Sequence, residues 1–233
     1  MNYVMRVSMF VLWGSILLFA DAVPQRGIDA LTDFSNLPVL RSGEIVKQVS
    51  SHDRTGGNYD FNKEEQGLQS YLYKEDGLYV IFDEKRPGCL YRIWMTFWGL
   101  NPEGYGDIYF FVDGEETPRV SMYEADFFSG TNSPFLFPLV GFWDKSGGGY
   151  YSYTPIEFEK SLKIATSVIP HFYNYTYKIY QDTEKLTSFT MDADVTEAVS
   201  VYEQIGLPMV EAASPDEIKE SFQLASNQHK VFE

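Results

Sequence analysis

The feature that most constrains the fold is a strict alternation of side chains in the second half of the chain. From Tyr173 to Ile179, Tyr or Ile occupies every second position, and a polar residue lies between each pair. A period of two is typical of a β-strand with one buried and one solvated face. Comparable runs recur between residues 67 and 182, with no helical pattern between them. The chain is therefore predicted to be mainly β.

Eight strands are predicted from these runs and from the turn signals that separate them. They cover Ser70–Lys74, Leu78–Asp83, Cys89–Trp98, Asp107–Val112, Arg119–Tyr123, Tyr150–Phe158, Leu162–Ser167 and Phe172–Tyr180. Asp76-Gly77 and Asp113-Gly114 are typical of tight hairpin turns, whereas residues 127–149 are predicted to form a long connection. Short strands in this arrangement indicate an antiparallel jelly-roll sandwich over residues 67–182.

The first 22 residues have the pattern of a secretory signal peptide. Arg6 precedes an apolar run from Val7 to Phe19, and small residues at positions 20–22 suit cleavage after Ala22. The alternative is a membrane anchor, but the run is shorter than the roughly 20 residues that span a bilayer. We therefore expect a secreted or periplasmic protein. Residues 23–66, rich in Pro and Gly, are predicted to form a loop-rich arm.

Residues 183–233 are predicted to form an acidic helical tail. A capping box at Asp194 and Glu197 opens one helix, and Ser214 opens a second. Residues 181–233 contain 11 acidic and 3 basic residues. Each helix has only one apolar stripe, so it must pack on the sandwich or on a partner.

Charge and composition exclude several partners and cofactors. The 18 Lys and Arg residues oppose 33 Asp and Glu residues, for a formal net charge of −15. Nucleic acids and anionic membranes require a basic face, so neither is expected as a partner. His52, His171 and His229 fit no zinc-binding spacing, and no metal or other cofactor is expected. The single cysteine, Cys89, is predicted to be a buried thiol and not a nucleophile.

The densest cluster of polar side chains lies between residues 50 and 61. It presents Asp53, Arg54, Asn58 and Asp60 around two glycines that allow tight bends. Such a loop is suited to holding the vicinal diol of a sugar through paired hydrogen bonds. The alternative is an ordered, salt-bridged turn that closes one end of the sandwich. The guanidinium of Arg54 is predicted to bond to Asp53, Asp60 or nearby backbone.

Trp94 is the aromatic residue that we associate with this loop. Arg92 and Trp94 alternate with Ile93 and Met95 along one predicted strand. Trp94 is predicted to lie inside the sandwich or at its end. If Arg92 and Trp94 share a face with the loop, that face is the best candidate for a carbohydrate pocket.

Five motifs in order, beginning with this loop, resemble those of glycoside hydrolase family 172. The first runs from Ser50-Ser51 through Asp53-Arg54-Thr55-Gly56-Gly57-Asn58 to Asp60. The others lie within Gly88–Thr96, Ile108–Pro118, Asp126–Phe128 and Gly148–Leu162. Together they cover about residues 45–182.

The resemblance implies a fold, an assembly and an activity. The fold is a tandem of jelly rolls in a trimer-based homo-oligomer, and the substrates are furanosyl carbohydrates such as fructofuranosides or arabinofuranosides. The mechanism would be retaining, with one glutamate as nucleophile and another as acid/base. In the family pattern these glutamates come from a later half, near a Gly-Thr-Glu-Asp-Tyr type motif, and no Thr-Glu-Asp occurs in this sequence.

The sequence therefore predicts a secreted, sugar-directed protein of this type without a recognisable catalytic half. The candidate carbohydrate-binding residues are Asp53, Arg54, Asn58, Asp60 and Trp94. Catalysis, if present, needs a partner chain or self-association. The alternatives are a non-catalytic carbohydrate-binding or assembly module and an incomplete gene model. A cation beside the acids of the loop lowers carboxyl pKa values, which suits the gripping of hydroxyls better than the delivery of a proton.

Overall fold

The computed structural model describes residues 25–34, 43–60, 69–97, 104–181, 183, 186–204, 206–207 and 222–229. The predicted signal peptide lies outside these residues, as does most of the second predicted helix. The chain divides into two units, residues 1–203 and residues 204–233. All strands and helices described below belong to the first unit. In the second unit, the N–H of Gln228 donates to the carbonyl of Ala225 at 3.1 Å and closes a turn.

Within the described residues the chain is mainly β, as predicted. The strands are β1 (Ile45–Ser50), β2 (Tyr73–Glu75), β3 (Leu78–Glu84), β4 (Gly88–Met95), β5 (Asp107–Val112), β6 (Val120–Tyr123), β7 (Thr131–Asn132), β8 (Phe135–Leu136), β9 (Val140–Gly141), β10 (Tyr150–Ser152), β11 (Ile156–Phe158), β12 (Leu162–Thr166) and β13 (Tyr173–Ile179). The α-helices are α1 (Glu124–Phe127) and α2 (Thr196–Glu203), and short 3-10 helices cover Gly27–Leu31 and Trp143–Lys145.

Two antiparallel sheets form the sandwich. The six-stranded sheet has the order β1-β13-β4-β10-β9, with β11 also paired to β4, and the five-stranded sheet has the order β2-β3-β12-β5-β6. The chain crosses repeatedly between the sheets, so β13 returns to lie between β1 and β4. This is the strand order of a jelly roll. The predicted antiparallel jelly-roll sandwich is therefore confirmed.

The alternation along β13 decides which face of the six-stranded sheet is buried. The inner positions of β13 are buried and the positions between them are half-buried. The inner residues are Tyr173, Tyr175, Tyr177 and Ile179. They belong to a core that also contains Phe82, Ile93, Met95 and Phe110, all at most 1% exposed. Apolar burial between the sheets is thus the main source of stability in a chain whose single cysteine is free.

The two predicted Asp-Gly turns are present. Asp76 and Gly77 join β2 to β3 with φ angles of 50° and 82°, the combination that a two-residue hairpin turn requires. Asp113 and Gly114 have φ angles of 56° and 82° and begin the connection from β5 to β6. The carboxylate of Asp113 accepts the N–H of Lys160 at 2.7 Å, which ties this hairpin to the neighbouring turn.

Residues 124–149 contain more regular structure than the sequence predicts. α1, β7, β8 and β9 all lie in or next to the predicted long connection. A strand of two residues has no readable period, and neither has a helix of four. These pieces are held by aromatic packing: Phe127, Phe128 and Phe135 are fully buried, and the ring centroids of Phe127 and Phe128 are 4.8 Å apart.

The first helix of the predicted tail is present and packs on the sandwich. The carboxylate of Asp194 accepts the N–H of Thr196 at 2.9 Å, which confirms its capping role. Phe189, Val195 and Ala198 belong to the main hydrophobic core. Residues 186–203 therefore extend the core of the sandwich.

Glu124, the first residue of α1, is a buried carboxyl group. It is 1% exposed, and one of its oxygens accepts the N–H of Gly106 at 2.8 Å. Burial, reinforced by the nearby charge of Asp107, raises the pKa of Glu124 to about 8. The folded state therefore favours the protonated carboxyl group, whereas the unfolded chain ionises near its ordinary pKa of 4.5.

This difference predicts a pH dependence of stability. The folded state binds the Glu124 proton more tightly than the unfolded chain does. The contribution of Glu124 to the free energy of unfolding is therefore fully present below about pH 4.5 and is lost as pH rises through about 8. The loss is on the order of 5 kcal/mol. Glu124→Gln is expected to flatten the decline in the free energy of unfolding between pH 5 and pH 9, measured by denaturant titration. The pKa of Glu157 is also raised, to about 7, but Glu157 is present in both the wild type and the Glu124→Gln variant, so its effect cancels in the comparison. Equal slopes for the two proteins would contradict this prediction.

Candidate functional site

The loop singled out in the sequence leaves the end of β1. The strand ladder continues one residue past β1, because the N–H of Ser51 donates to the carbonyl of Tyr173 at 3.1 Å. β4 ends and β13 begins at the same end of the six-stranded sheet. The loop, residues 51–60, therefore starts at the end of the sheet where the last residues of β4 lie.

Asp53 organises the loop through its own carboxylate. One oxygen accepts the N–H and the hydroxyl of Thr55, at 2.9 and 2.6 Å. The other oxygen accepts the N–H of Tyr59 at 3.3 Å. The N–H of Asp53 in turn donates to the carboxylate of Asp60 at 3.0 Å. These bonds close the loop upon itself, the arrangement of an Asx turn.

Arg54 links the loop to both sheets. Its guanidinium donates to the carbonyl of Ser50 at 3.0 Å and to the carbonyl of Gln69 at 3.1 Å. It also lies 3.4 Å from the carbonyl of Tyr71 and 3.3 Å from the hydroxyl of Tyr173. Ser50 ends β1 in one sheet, and Gln69 and Tyr71 precede β2 in the other. The predicted bonding of Arg54 to nearby backbone is confirmed, and its effect is to close this end of the sandwich.

The hydrogen bonds to Asp53 also set its acidity. Donation from the side chain and backbone of Thr55 holds the pKa of Asp53 below its ordinary value. A lowered pKa was expected from the neighbouring Arg54, but the cause is hydrogen bonding, because the guanidinium is directed toward backbone carbonyls. Asp53 is therefore an acceptor of hydrogen bonds and not a proton donor at neutral pH.

A row of side chains crosses the outer face of the six-stranded sheet beside the loop. The strand register aligns Ser50 with Asn174, Asn174 with Trp94, and Trp94 with Tyr151. Neighbouring strands are about 4.8 Å apart, so Trp94 lies roughly 10 Å from Ser50. The inner neighbours of this row, Met95 and Tyr173, are buried, which places the row on the opposite, outer face. We call Ser50, Asn174, Trp94 and Tyr151 the outer row.

Polar contacts hold parts of the outer row in place. The guanidinium of Arg92 donates to the side-chain oxygen of Asn174 at 3.1 Å. The hydroxyl of Ser50 and Nδ1 of His52 are 3.0 Å apart. The indole of Trp94 lies against Gly149, where an added Cβ would overlap the ring. Trp94 is half-buried, and the part of its indole around Nε1 lies against the backbone of Gly149.

The structure thus separates the predicted site residues into two groups. Asp53 and Arg54 have their polar groups engaged in the loop and the sandwich end. Asn58 and Asp60 are exposed on the same loop. The prediction that Trp94 lies inside the sandwich or at its end is correct only for the end, because Trp94 is on the outer face. Arg92 and Trp94 share the outer face. The loop begins one residue after Ser50, which is the first member of the outer row.

Comparison with known proteins identifies the sandwich. A family model of the first beta-sandwich domain of glycoside hydrolase family 172 matches residues 42–197, well over half of the chain. The chain belongs to glycoside hydrolase family 172. No curated protein gives a significant match to the chain. The family resemblance inferred from the five motifs is therefore confirmed.

One carboxyl group of this family 172 sandwich was missed by the sequence analysis. Glu157 lies in a cavity of about 240 Å³ that is also lined by Arg26 and Asp29. Burial raises the pKa of Glu157 to about 7, although Arg26 opposes the shift. The alternation of Ile156, Glu157 and Phe158 was the available signal, because it places Glu157 on the outer side of β11. Its carboxylate lies directly against Gly27, whose N–H donates to the hydroxyl of Tyr91 at 3.1 Å.

In the part of the family 172 sandwich that the structure describes, no cluster of His, Cys, Asp or Glu is arranged to hold a metal ion. No helix among those residues has the length and apolar character to cross a membrane. Cys89 is fully buried, and burial raises the pKa of its thiol well above the ordinary value. This agrees with its interpretation as a buried, unreactive thiol.

The contacts of Arg54 predict a specific loss of stability. Arg54→Ala removes a charged donor shared by three backbone carbonyls, and it is expected to lower the free energy of unfolding by about 1–2 kcal/mol. Arg92→Ala removes one hydrogen bond, to the side chain of Asn174 on the outer face, and serves as the control. Its expected loss in the free energy of unfolding is under about 1 kcal/mol. Denaturant titration compares the two. An effect of Arg54→Ala no larger than that of Arg92→Ala would contradict the clamping role.

Proposed function

We propose that this chain is a secreted member of glycoside hydrolase family 172 whose sandwich binds furanosyl carbohydrates, such as fructofuranosides or arabinofuranosides. In this proposal the sandwich contributes binding and assembly surfaces, and the chain does not itself complete a pair of catalytic carboxyl groups. The family match supports a carbohydrate-directed role. The observation that carries the proposed site is the outer row, in which Trp94 and Asn174 lie beside the motif loop.

The outer row has the chemistry that sugar recognition requires. Trp94 offers a half-exposed aromatic ring for the apolar side of a sugar ring. Asn174 and Arg92 provide donors and acceptors that match ring hydroxyls. Asn58 and Asp60 are exposed on the adjoining loop and extend the polar surface. Asp53 and Arg54 contribute indirectly, because they fix the conformation of that loop.

The acids of the motif loop do not suit a retaining mechanism. Such a mechanism requires two carboxyl groups roughly 5–5.5 Å apart, one of which is protonated before the reaction. Asp53 accepts three hydrogen bonds and its pKa is lowered, so it stays ionised. We therefore propose that any hydrolysis depends on carboxyl groups from outside this loop, supplied through a partner chain or self-association.

Binding at the outer row is tested with defined sugars. Isothermal titration with fructo-oligosaccharides and arabinofurano-oligosaccharides is expected to show weak, saturable binding to the mature chain. Trp94→Ala is expected to weaken the affinity for these oligosaccharides about tenfold or more, as for an anchoring aromatic residue. Tyr123→Ala, which removes an exposed aromatic ring from the five-stranded sheet, is the matched control and should leave it unchanged. Equal affinities for the wild type and Trp94→Ala would remove the outer row from the site.

Catalysis is tested separately from binding. The isolated mature chain is expected to release no nitrophenol from nitrophenyl fructofuranosides or arabinofuranosides above a blank without protein. If turnover is found, Asp53→Asn and Glu157→Gln identify its source, since Glu157 has the raised pKa that an acid catalyst needs. Turnover abolished by either change would overturn the non-catalytic assignment.

Export and assembly are parts of the same proposal. The signal-like segment of residues 1–22 supports secretion with cleavage after Ala22. Membership of the family supports a trimer-based homo-oligomer. The mass of the exported chain and the mass of its assembly in solution are the two quantities that decide these points.

A further inference from the structure

The outer face of the five-stranded sheet carries a groove that neither the motif loop nor the outer row explains. Two neighbouring cavities, of about 690 and about 450 Å³, lie on this face. Both are lined by Glu75, Phe111, Glu115 and Lys163, so they are two lobes of one depression. We call it the Lys163 groove. Each lobe falls within the roughly 300–1,000 Å³ typical of small-molecule sites.

The strand register builds the floor of the groove. Ala165 of β12 is aligned with Val80 of β3 and with Tyr109 of β5, and all three line the larger lobe. A small side chain between larger neighbours leaves a depression in the sheet surface. Lys163, two residues earlier and on the same face, is aligned with Asp83 and Phe111 in the smaller lobe.

The aromatic rings of the groove are held in defined positions. The hydroxyl of Tyr73 donates to the carboxylate of Asp83 at 2.7 Å. The hydroxyl of Tyr109 donates to the carboxylate of Asp107 at 3.3 Å. Both tyrosines and Phe111 are only half-buried. The groove therefore presents fixed, accessible aromatic surface before any ligand arrives, which lowers the entropy cost of binding.

Lys163 lies between the two lobes. Its ammonium group forms an ion pair with Glu75 and lies 4.8 Å from the centroid of the Phe111 ring. The side chain of Lys163 is 30% exposed and that of Glu75 is 45% exposed, so both can exchange this contact for a ligand. An ion pair this exposed contributes little to stability, so a ligand can replace it.

The charges around the groove select the kind of ligand. The larger lobe is lined by Glu75, Asp76, Glu115 and Glu116 together with Lys163, which disfavours anions. The smaller lobe is lined by Lys85, Lys160 and Lys163 against Glu75, Asp83 and Glu115, which disfavours multivalent cations. Hydroxyl groups of a neutral sugar both donate to carboxylates and accept from ammonium groups. The same surface supplies aromatic rings for the apolar faces of sugar rings.

We infer that the Lys163 groove is a second carbohydrate-binding site, for a neutral oligosaccharide that spans both lobes. In this arrangement one sugar unit packs on Phe111 and Tyr109, and Lys163 and Glu75 bond to its hydroxyls. The site lies on the outer face of the sheet opposite to the outer row. It is therefore independent of the furanoside site and can hold a different sugar.

The experiment uses the mature chain and a panel of neutral probes: fructo-, arabinofurano-, xylo- and cello-oligosaccharides. Amide chemical-shift titration by NMR is expected to show saturable shifts at β5 and β12 with at least one probe. Phe111→Ala and Lys163→Met are each expected to weaken that binding about tenfold or more. Lys163→Met keeps the aliphatic stem and so preserves packing, which covers the case in which Phe111→Ala fails to fold. Phe111→Tyr retains the ring and should retain binding.

The outcomes separate this site from the outer row. Binding that is lost in Lys163→Met but kept in Trp94→Ala supports carbohydrate binding in the Lys163 groove, whether or not the outer row binds furanosides. Binding that is lost only in Trp94→Ala overturns it, as does the absence of saturable shifts at β5 and β12 up to millimolar concentrations of every probe. Self-association that Lys163→Met abolishes, without sugar binding, would also overturn it, because the groove would then be an interface between copies of the chain.

Discussion

The structure depends on the burial of the inner face of β13 between the two sheets. Tyr173, Tyr175 and Tyr177 fill the core from this strand, and each places its hydroxyl against a polar or sulfur group. The hydroxyl of Tyr175 lies 3.1 Å from the sulfur of Met95, and that of Tyr177 bonds to Glu84 at 3.2 Å. A shift of one residue would bury Asn174 and expose the tyrosines. The register of β1 and β4 on either side, and hence the outer row, follows from this constraint.

The sequence was sufficient for the fold wherever a pattern repeats. The strands β3, β5 and β13 were found because burial on one face enforces a period of two. β1 lies within the predicted loop-rich arm of residues 23–66 and was missed, because its first four residues are all exposed and show no alternation. The Asp-Gly turns were found because few residues adopt positive φ angles. α1 and the two-residue strands β7 to β9 were missed, since they are too short to show a period. Their positions are decided by contacts between rings far apart in sequence, such as Phe135 and Phe189, whose centroids are 5.9 Å apart.

The candidate site was only partly readable from the sequence, for a different reason. Composition identified the loop, but it could not show that Arg54 bonds to carbonyls of residues 15 and 17 positions away. The alignment of Ser50, Asn174 and Trp94 depends on pairing between strands that are far apart in sequence. Glu157 was not singled out in the sequence, and only the folded chain shows its carboxylate against Gly27. Long-range contacts thus decide which polar residues remain available to a ligand.

The same contacts change what the family motif means for function. The carboxylate of Asp53 fixes the loop and the guanidinium of Arg54 ties it to the end of the sandwich, so both contribute to stability whether or not a sugar binds nearby. The presence of the loop therefore identifies the family more directly than it identifies a binding site. The proposed recognition of sugars therefore rests on side chains that the fold directs outward, which in a sandwich are the polar residues that alternate with the buried ones along each strand. The two sheets direct outward different sets, one centred on Trp94 and Asn174 and the other on Lys163 and Phe111, so one jelly roll can present two chemically distinct surfaces.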